Sequence, residues 1–210
     1  MPQQFIRPNA TTTRTTNGNH GLTPASVGSA TMHECMDDTI PSTTDYGRCA
    51  PSPQGDVIVV ELGSPTTSPT LNRAHFVRCA LQKDATGKRA DCLVELRQGY
   101  TAEGTGFGTL IASFNIEDIP TTSTRYRRRL TEAEAALITD YADLQLRFVI
   151  RTVKGVDGSA PVACRLIWAE VECPDAAEPG EVNMTNAERR EAFRGATEAN
   201  AYGTGYEEVP

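Results

Sequence analysis

From about residue 31 to residue 174 the chain alternates apolar and polar positions with a period of two, and turn residues interrupt the pattern about every eight to fifteen positions. Successive side chains of a strand point to opposite faces, so the pattern buries one face of each strand and predicts an all-β fold, an antiparallel β-sandwich or barrel. The clearest unit is the pair of runs Ala74–Lys83 and Lys88–Arg97, separated by Asp84-Ala85-Thr86-Gly87, a stretch with turn chemistry at both ends. Read as a hairpin, it pairs Lys83 with Lys88 and fixes every pair further out. Cys79 then lies opposite Cys92, Val77 opposite Val94, His75 opposite Leu96 and Leu81 opposite Ala90, on the core face. Arg78, Glu95 and Arg97 fall on the other face with Phe76 and Leu93.

Leu110–Ile119 alternates again and stops at Pro120, and Thr121-Thr122-Ser123-Thr124 opens a loop that ends in Arg125-Tyr126-Arg127-Arg128-Arg129. Thr131-x-x-Glu134 is a capping box and predicts a short helix inserted through Ala-rich sequence to about Asp140. Leu144, Leu146, Phe148 and Ile150 alternate with Gln145, Arg147 and Arg151 in a strand. The turn Gly155-Val156-Asp157-Gly158 leads to a last strand, Val162–Cys173, with Cys164, Leu166 and Trp168 on one face and Pro174 ending it. The acidic, Pro/Gly-containing stretch to Glu181 reads as a linker. A second capping box, Thr185-x-x-Glu188, predicts a short helix over about 186–198, with Ala187, Ala192, Phe193 and Ala196 as its few apolar positions. A face that thin does not fold alone: either it docks in a groove on another protein or it stays a frayed, solvated tail.

The first thirty residues contain six threonines and three glycines but few large apolar side chains. That is too little burial to offset the entropy of ordering them alone. The expectation is therefore an extended N-terminal arm over 1–30 that lies on a neighbouring subunit, with Phe5 and Ile6 as anchors and Arg7 and Arg14 as its only charges. A β-sandwich domain over 31–174 and an acidic C-terminal tail over 175–210 would complete the chain.

Charge sharpens this division. The formal net charge is −7, and the segment from Glu170 to Pro210 holds ten acidic residues and three arginines, so the first 169 residues, with seventeen of each sign, are neutral. Apolar runs such as Val57-Ile58-Val59-Val60 are strand-length, far short of the roughly twenty residues of a membrane-spanning helix. The chain starts Met-Pro-Gln-Gln without a basic-then-apolar segment, from which synthesis in a cytoplasm and no membrane partner are expected.

Candidate chemistry is sparse. Gly99-x-x-x-x-Gly104-x-Gly106-x-Gly108 resembles a phosphate-cradling loop, but Thr109–Phe114 after it reads as strand, and nucleotide loops open a helix. The residues predict an inter-strand loop and no cofactor. His20, His33 and His75 are scattered, no Gly-x-Ser-x-Gly occurs, and Asp37-Asp38 and Glu117-Asp118 are adjacent and so point to opposite faces of a strand. No catalytic residue is assigned and no enzyme is expected. The six cysteines at 35, 49, 79, 92, 164 and 173 lack a CxxC, and His33-x-Cys35 with Cys49 falls short of four metal ligands, so buried free thiols and no metal are expected. Arg125, Arg127, Arg128 and Arg129 form the one strong charge cluster. A single run in an acidic chain lacks an extended footprint for nucleic acid, so an acidic patch on a protein partner is favoured, such as the segment from Glu170 onward of a neighbouring copy.

Thr139-Asp140-Tyr141-Ala142-Asp143-Leu144-Gln145-Leu146-Arg147-Phe148, with Trp168-Ala169-Glu170-Val171-Glu172-Cys173-Pro174 about twenty residues later, resembles a strand pair of β-sandwich virion proteins of tailed bacteriophages. The resemblance implies a jelly-roll-like capsid-decorating or cement protein, assembled in the host cytoplasm into the virion. It would bind the major capsid protein and neighbouring copies of itself, a trimer by preference. A tail- or neck-associated protein, able to bind carbohydrate or a host, is the alternative. The residues expected to meet partners are Phe5, Ile6, Arg7, Arg14, Arg125, Arg127, Arg128, Arg129 and Phe193.

Overall fold

The computed structural model describes residues 3–16, 22–24, 32–49, 56–69, 74–85, 89–102, 105–152 and 162–174. The chain divides into two compact units, Met1–Ala176 and Ala177–Pro210. The second unit, and with it Phe193 and the expected tail helix, lies outside the described residues.

Eleven strands are described: β1 (Gln3–Ile6), β2 (Pro8–Thr16), β3 (Leu22–Pro24), β4 (Gly47–Cys49), β5 (Asp56–Leu62), β6 (Phe76–Lys83), β7 (Ala90–Gln98), β8 (Thr109–Ile116), β9 (Thr124–Arg129), β10 (Leu144–Thr152) and β11 (Cys164–Pro174). They form two antiparallel sheets, one of six strands in the order β3-β4-β11-β6-β9 with β1 also on β11, the other of five in the order β2-β5-β10-β7-β8. The rows β4-β11-β6-β9 and β5-β10-β7-β8 are those of an eight-stranded jelly roll, in which consecutive strands change sheet at every step except β7 to β8. The helix α1 (Glu132–Ala136) carries the expected capping box, with Thr131 as its N-cap and Glu134 reaching back to the Thr131 backbone.

The faces read for β6 and β7 are in place, but the hairpin is not, and Trp168, read on the face of Cys164 and Leu166, is turned to the outer face by a bulge after Leu166. Val77, Cys79 and Leu81 are buried on the six-stranded sheet and Ala90, Cys92, Val94 and Leu96 on the five-stranded one. β6 and β7 do not pair. Cys79 stands beside Ala169 and Tyr126, Cys92 beside Ile150 and Ile116. The connection after Asp84 carries the chain from one sheet to the other, so the two cysteines contribute to one core from opposite layers. Period two reports which face a residue takes and is blind to whether the next strand lies beside it or across from it.

The N-terminal strands correct a second expectation. β1 pairs with β11 over Gln3–Ile6, β2 pairs with β5, and β3 pairs with β4, so these residues belong to the chain's own sheets rather than to a neighbouring subunit. Ile6 is buried in the core at 2% exposure and cannot anchor a partner. Backbone pairing, which a Thr-rich strand makes as well as an apolar one, supplies what side-chain burial does not. The stretches Thr139–Phe148 and Trp168–Pro174 are likewise no strand pair, since β10 and β11 sit in opposite sheets.

Truncation tests the woven terminus. A chain lacking residues 1–16 loses β1, β2 and the burial of Ile6, and its denaturation midpoint should fall by the equivalent of about 3 kcal/mol or more, or its cooperative transition should vanish. Unfolding like that of the full chain in urea would show that the strands add nothing.

Candidate functional site

On β11 the core-facing residues Ala169, Val171 and Cys173 leave Trp168, Glu170 and Glu172 to the outer face of the six-stranded sheet. Register carries this face sideways. Phe5, Glu172, Phe76 and Arg129 form one cross-strand row, Glu170, Arg78 and Arg127 a second, and Trp168, Ala80 and Arg125 a third. The bulge between Leu166 and Trp168 sets which β11 residues take these positions.

Two carboxylates thus sit on a sheet face yet are nearly inaccessible, Glu170 at 2% and Glu172 at 1% exposure. Guanidinium groups cover them. Arg78 donates to Glu172 and lies 3.4 Å from Glu170, Arg127 donates to Glu172 at 3.2 Å, and Arg7 reaches Glu170 at 3.1 Å. Rings fill the gaps: Arg7 and Arg78 lie over Phe5 at 5.7 and 5.4 Å from its centroid, Arg127 over Phe76 at 3.5 Å and Arg125 over Trp168 at 5.9 Å. Such pairs add cation–π attraction to the ion pairs. Further along, Arg48 and Arg165 share Asp84, and Arg165 covers Tyr46.

Burial pushes the Glu170 carboxyl above its ordinary range, and Arg7 and Arg78 offset only part of that. A raised folded value means that the ionised form costs stability at neutral pH, and the cost fades as pH falls through that value. Glu134 behaves in the opposite way. Burial works to raise its pKa, but hydrogen bonds from Arg128 and from the Thr131 backbone and hydroxyl outweigh burial and hold it below the usual carboxylate range.

The expected partner-binding residues therefore divide. Arg7 and Arg127 are bound to glutamates of their own chain, so the acidic partner of the cluster begins at home, on β11, and Glu170 and Glu172 belong to the sheet rather than to a tail. Arg128 turns to the inner side and pairs with Glu134. Arg125 and Arg129 are exposed and have no carboxylate partner among the described residues. Phe5 is 40% exposed beneath its two arginines. Arg14 stands beside Ile58 in the register of β2 and β5, and its side chain lies outside the described residues. The sequence reading put Arg78 and Phe76 on the outward face without joining them to the arginine run, and it counted Glu170 and Glu172 with the acidic end of a neighbouring copy. The signal was there in two acids at alternate positions of a mostly apolar strand.

The glycine-rich loop folds Tyr100 and Phe107 against Val57, Val59 and Val149 on the outer face of the five-stranded sheet, with Arg97 and Arg147 sharing Glu95 beneath Phe107. Gly108 has φ +61°, and a Cβ there would stand 2.2 Å from the Gln98 carbonyl oxygen, so the residue serves the tight return into β8. A cleft of about 520 Å³ is lined by Ser64–Pro69 and Ile138–Ala142. Gln4 ties down its Thr66 and Thr67 wall, and the Tyr141 hydroxyl lies 2.6 Å from His75 Nε2. Cys35, Cys79, Cys92, Cys164 and Cys173 are buried thiols, and burial pushes the Cys79 thiol up to about 12. Among the described residues no group of three or more His, Cys, Asp or Glu is placed to hold a metal, and no helix is long and apolar enough to cross a membrane.

Two measurements separate paired from unpaired charges. Arg78→Ala uncovers two buried carboxylates and should destabilise the fold by about 3–5 kcal/mol, whereas Arg129→Ala should stay within about 0.5 kcal/mol. Equal effects in urea denaturation would dismiss the network as structural. Glu134→Gln should cost on the order of 1 kcal/mol at neutral pH. Because the folded pKa is depressed, the gap to the parent should be full above about pH 4.5 and close as pH falls through the lowered value. A gap that widens in acid contradicts this.

No protein family and no curated protein matches the chain. Among solved structures, it is similar to the CBM22-1 xylan-binding domain from Paenibacillus barcinonensis, with 10% identity, 83% of this chain and 95% of that one covered, and a TM-score of 0.40. A CBM4 structure shares 8% identity over 73% of this chain and 86% of that one, with a TM-score of 0.32. The CBM22-1–GH10 modules of a Clostridium thermocellum endo-1,4-beta-D-xylanase, complexed with xylohexaose, share 11% identity over 67% of this chain and 23% of that one, with a TM-score of 0.30. Likeness at this level does not bear on what the chain binds.

Proposed function

We propose that this chain is a non-enzymatic assembly protein that docks on a protein partner through the outer face of its six-stranded sheet. Its proposed setting is the virion of a tailed bacteriophage, where it decorates the capsid, binds the major capsid protein at intersubunit junctions and stabilises the shell. The observation that carries docking is the guanidinium layer. Arg127 is fixed by Glu172 below it and Phe76 beside it before any partner arrives, which lowers the ordering cost of binding. Arg125 and Arg129 leave positive charge on the exposed surface to be neutralised. The virion setting rests on the sequence resemblance of the two segments Thr139–Phe148 and Trp168–Pro174, which lie in opposite sheets, and the jelly-roll order of strands is compatible with it. On a lattice, contacts of a few kcal/mol per copy suffice, because neighbouring sites raise the effective concentration, and a trimer would follow the symmetry of the shell.

The competing reading is a tail- or neck-associated protein that binds carbohydrate or a host surface. Stacking on a sugar needs open ring faces, whereas Phe5, Phe76, Trp168 and Phe107 each lie beneath a guanidinium. That cover favours protein docking.

Particles assembled without this chain should release their DNA at a lower temperature than complete ones, and an antibody against it should label the capsid. Equal heat resistance, or label confined to the tail, hands the function to the tail reading. Retardation of the purified chain in gels containing xylan or another polysaccharide would make carbohydrate the ligand instead.

A further inference from the structure

β9 is the last strand of its sheet: β6 pairs along one side of it, and no described strand lies along the other. An edge of this kind presents backbone N–H and C=O groups ready to accept another strand. The orientation of β9 is locked. Tyr126 packs against the core and Arg128 is held by Glu134, so Arg125, Arg127 and Arg129 all project from the outer face, spaced about 6.7 Å apart as alternate residues of a strand are.

The same arginines decide what can pair there. A second copy's β9 added antiparallel about Arg127 would set Arg127 against Arg127 and Arg125 against Arg129 on one face. Like charges directly opposite are destabilising, so the edge is guarded against its own kind. An extended segment with carboxylates at alternate positions meets no such barrier, since each carboxylate would fall beside one guanidinium in the cross-strand position where opposite charges attract. Glu172 below does not exhaust these groups: it engages Arg127, which is still 50% exposed, and reaches neither Arg125 nor Arg129.

We infer that the β9 edge is a strand-addition site for an extended acidic segment of a partner protein, with carboxylates at positions i, i+2 and i+4 set against Arg125, Arg127 and Arg129. The inference deepens the assembly reading and rests on it by naming how the partner is gripped. Main-chain hydrogen bonds would supply affinity and the arginine row would supply register.

The test uses the purified full chain and a labelled nine-residue peptide with three glutamates at alternate positions among threonine and valine, read by fluorescence anisotropy at low salt. Binding should weaken at least about tenfold in the double variant Arg125→Glu/Arg129→Glu. Neither residue touches a buried carboxylate, and retained near-ultraviolet circular dichroism will confirm that the variant is folded. A comparable loss is expected for a peptide N-methylated at alternate residues, which keeps its charges but cannot complete the ladder. Undiminished binding of the methylated peptide, of a peptide with its three glutamates contiguous, or of a single-stranded DNA oligonucleotide would overturn the inference, as would an unaffected double variant. These results are separable from particle heat resistance, which tests the assembly reading itself.

Discussion

Glu172 lies buried on the outer face of a sheet with only the guanidinium groups of Arg78 and Arg127 to answer its charge, and this one requirement organises much of the molecule. Arg78 comes from β6 and Arg127 from β9, so the three strands must hold register to within a residue or the carboxylate is left buried without a counter-ion. A buried ion network of this kind is weak grounds for high stability, because desolvation consumes most of the Coulomb gain. Its effect is on specificity, since competing registers leave a charge stranded while the native one does not. The bulge at Ile167 belongs to the same constraint. A slip of one residue would turn Trp168, Glu170 and Glu172 into the core and Ala169, Val171 and Cys173 out of it.

What the sequence reveals and what it hides follows from the range of the interactions involved. Burial has a local signature, so the core faces of β6, β7 and β10 were readable from alternation, and the capping box of α1 was readable from two residues three apart, whereas the bulge after Leu166 reverses the face of β11 and hides it from a period of two. Pairing has no local signature in a jelly roll. Between β6 and β7 the chain crosses the sandwich, and the turn chemistry around Asp84 serves that crossing as well as it would serve a hairpin. Asp84 in fact accepts from Arg48 and Arg165, anchoring the connection to the six-stranded sheet it is about to leave.

The N-terminus misleads for a related reason. Counting large apolar side chains undervalues a segment whose contribution is backbone pairing, and β1 contributes one buried residue, Ile6, besides its ladder with β11. Gln4 adds what composition cannot show. Its carboxamide accepts from the Thr66 and Thr67 backbone and donates to the Thr67 carbonyl, fastening the strand to the loop after β5. Phe5, on the opposite side, lies beneath Arg7 and Arg78 and closes the arginine layer at its edge. One short strand thereby joins the core, the loop wall and the outer face.

Charge was legible as a total and illegible as a distribution. The arginine run of β9 stands out in the sequence, but Glu170 and Glu172 merge with the acidic residues after them and look like the start of a tail. Once β11 is placed, both glutamates leave the tail and become the floor beneath Arg7, Arg78 and Arg127, and five arginines with two glutamates share one face of a chain whose net charge is −7. Screening at physiological ionic strength limits an exposed charge to a reach of about 8 Å. A partner approaching that face therefore meets the local excess of guanidinium and not the acidic whole. A net charge calculated over the chain does not predict the sign of what this surface attracts.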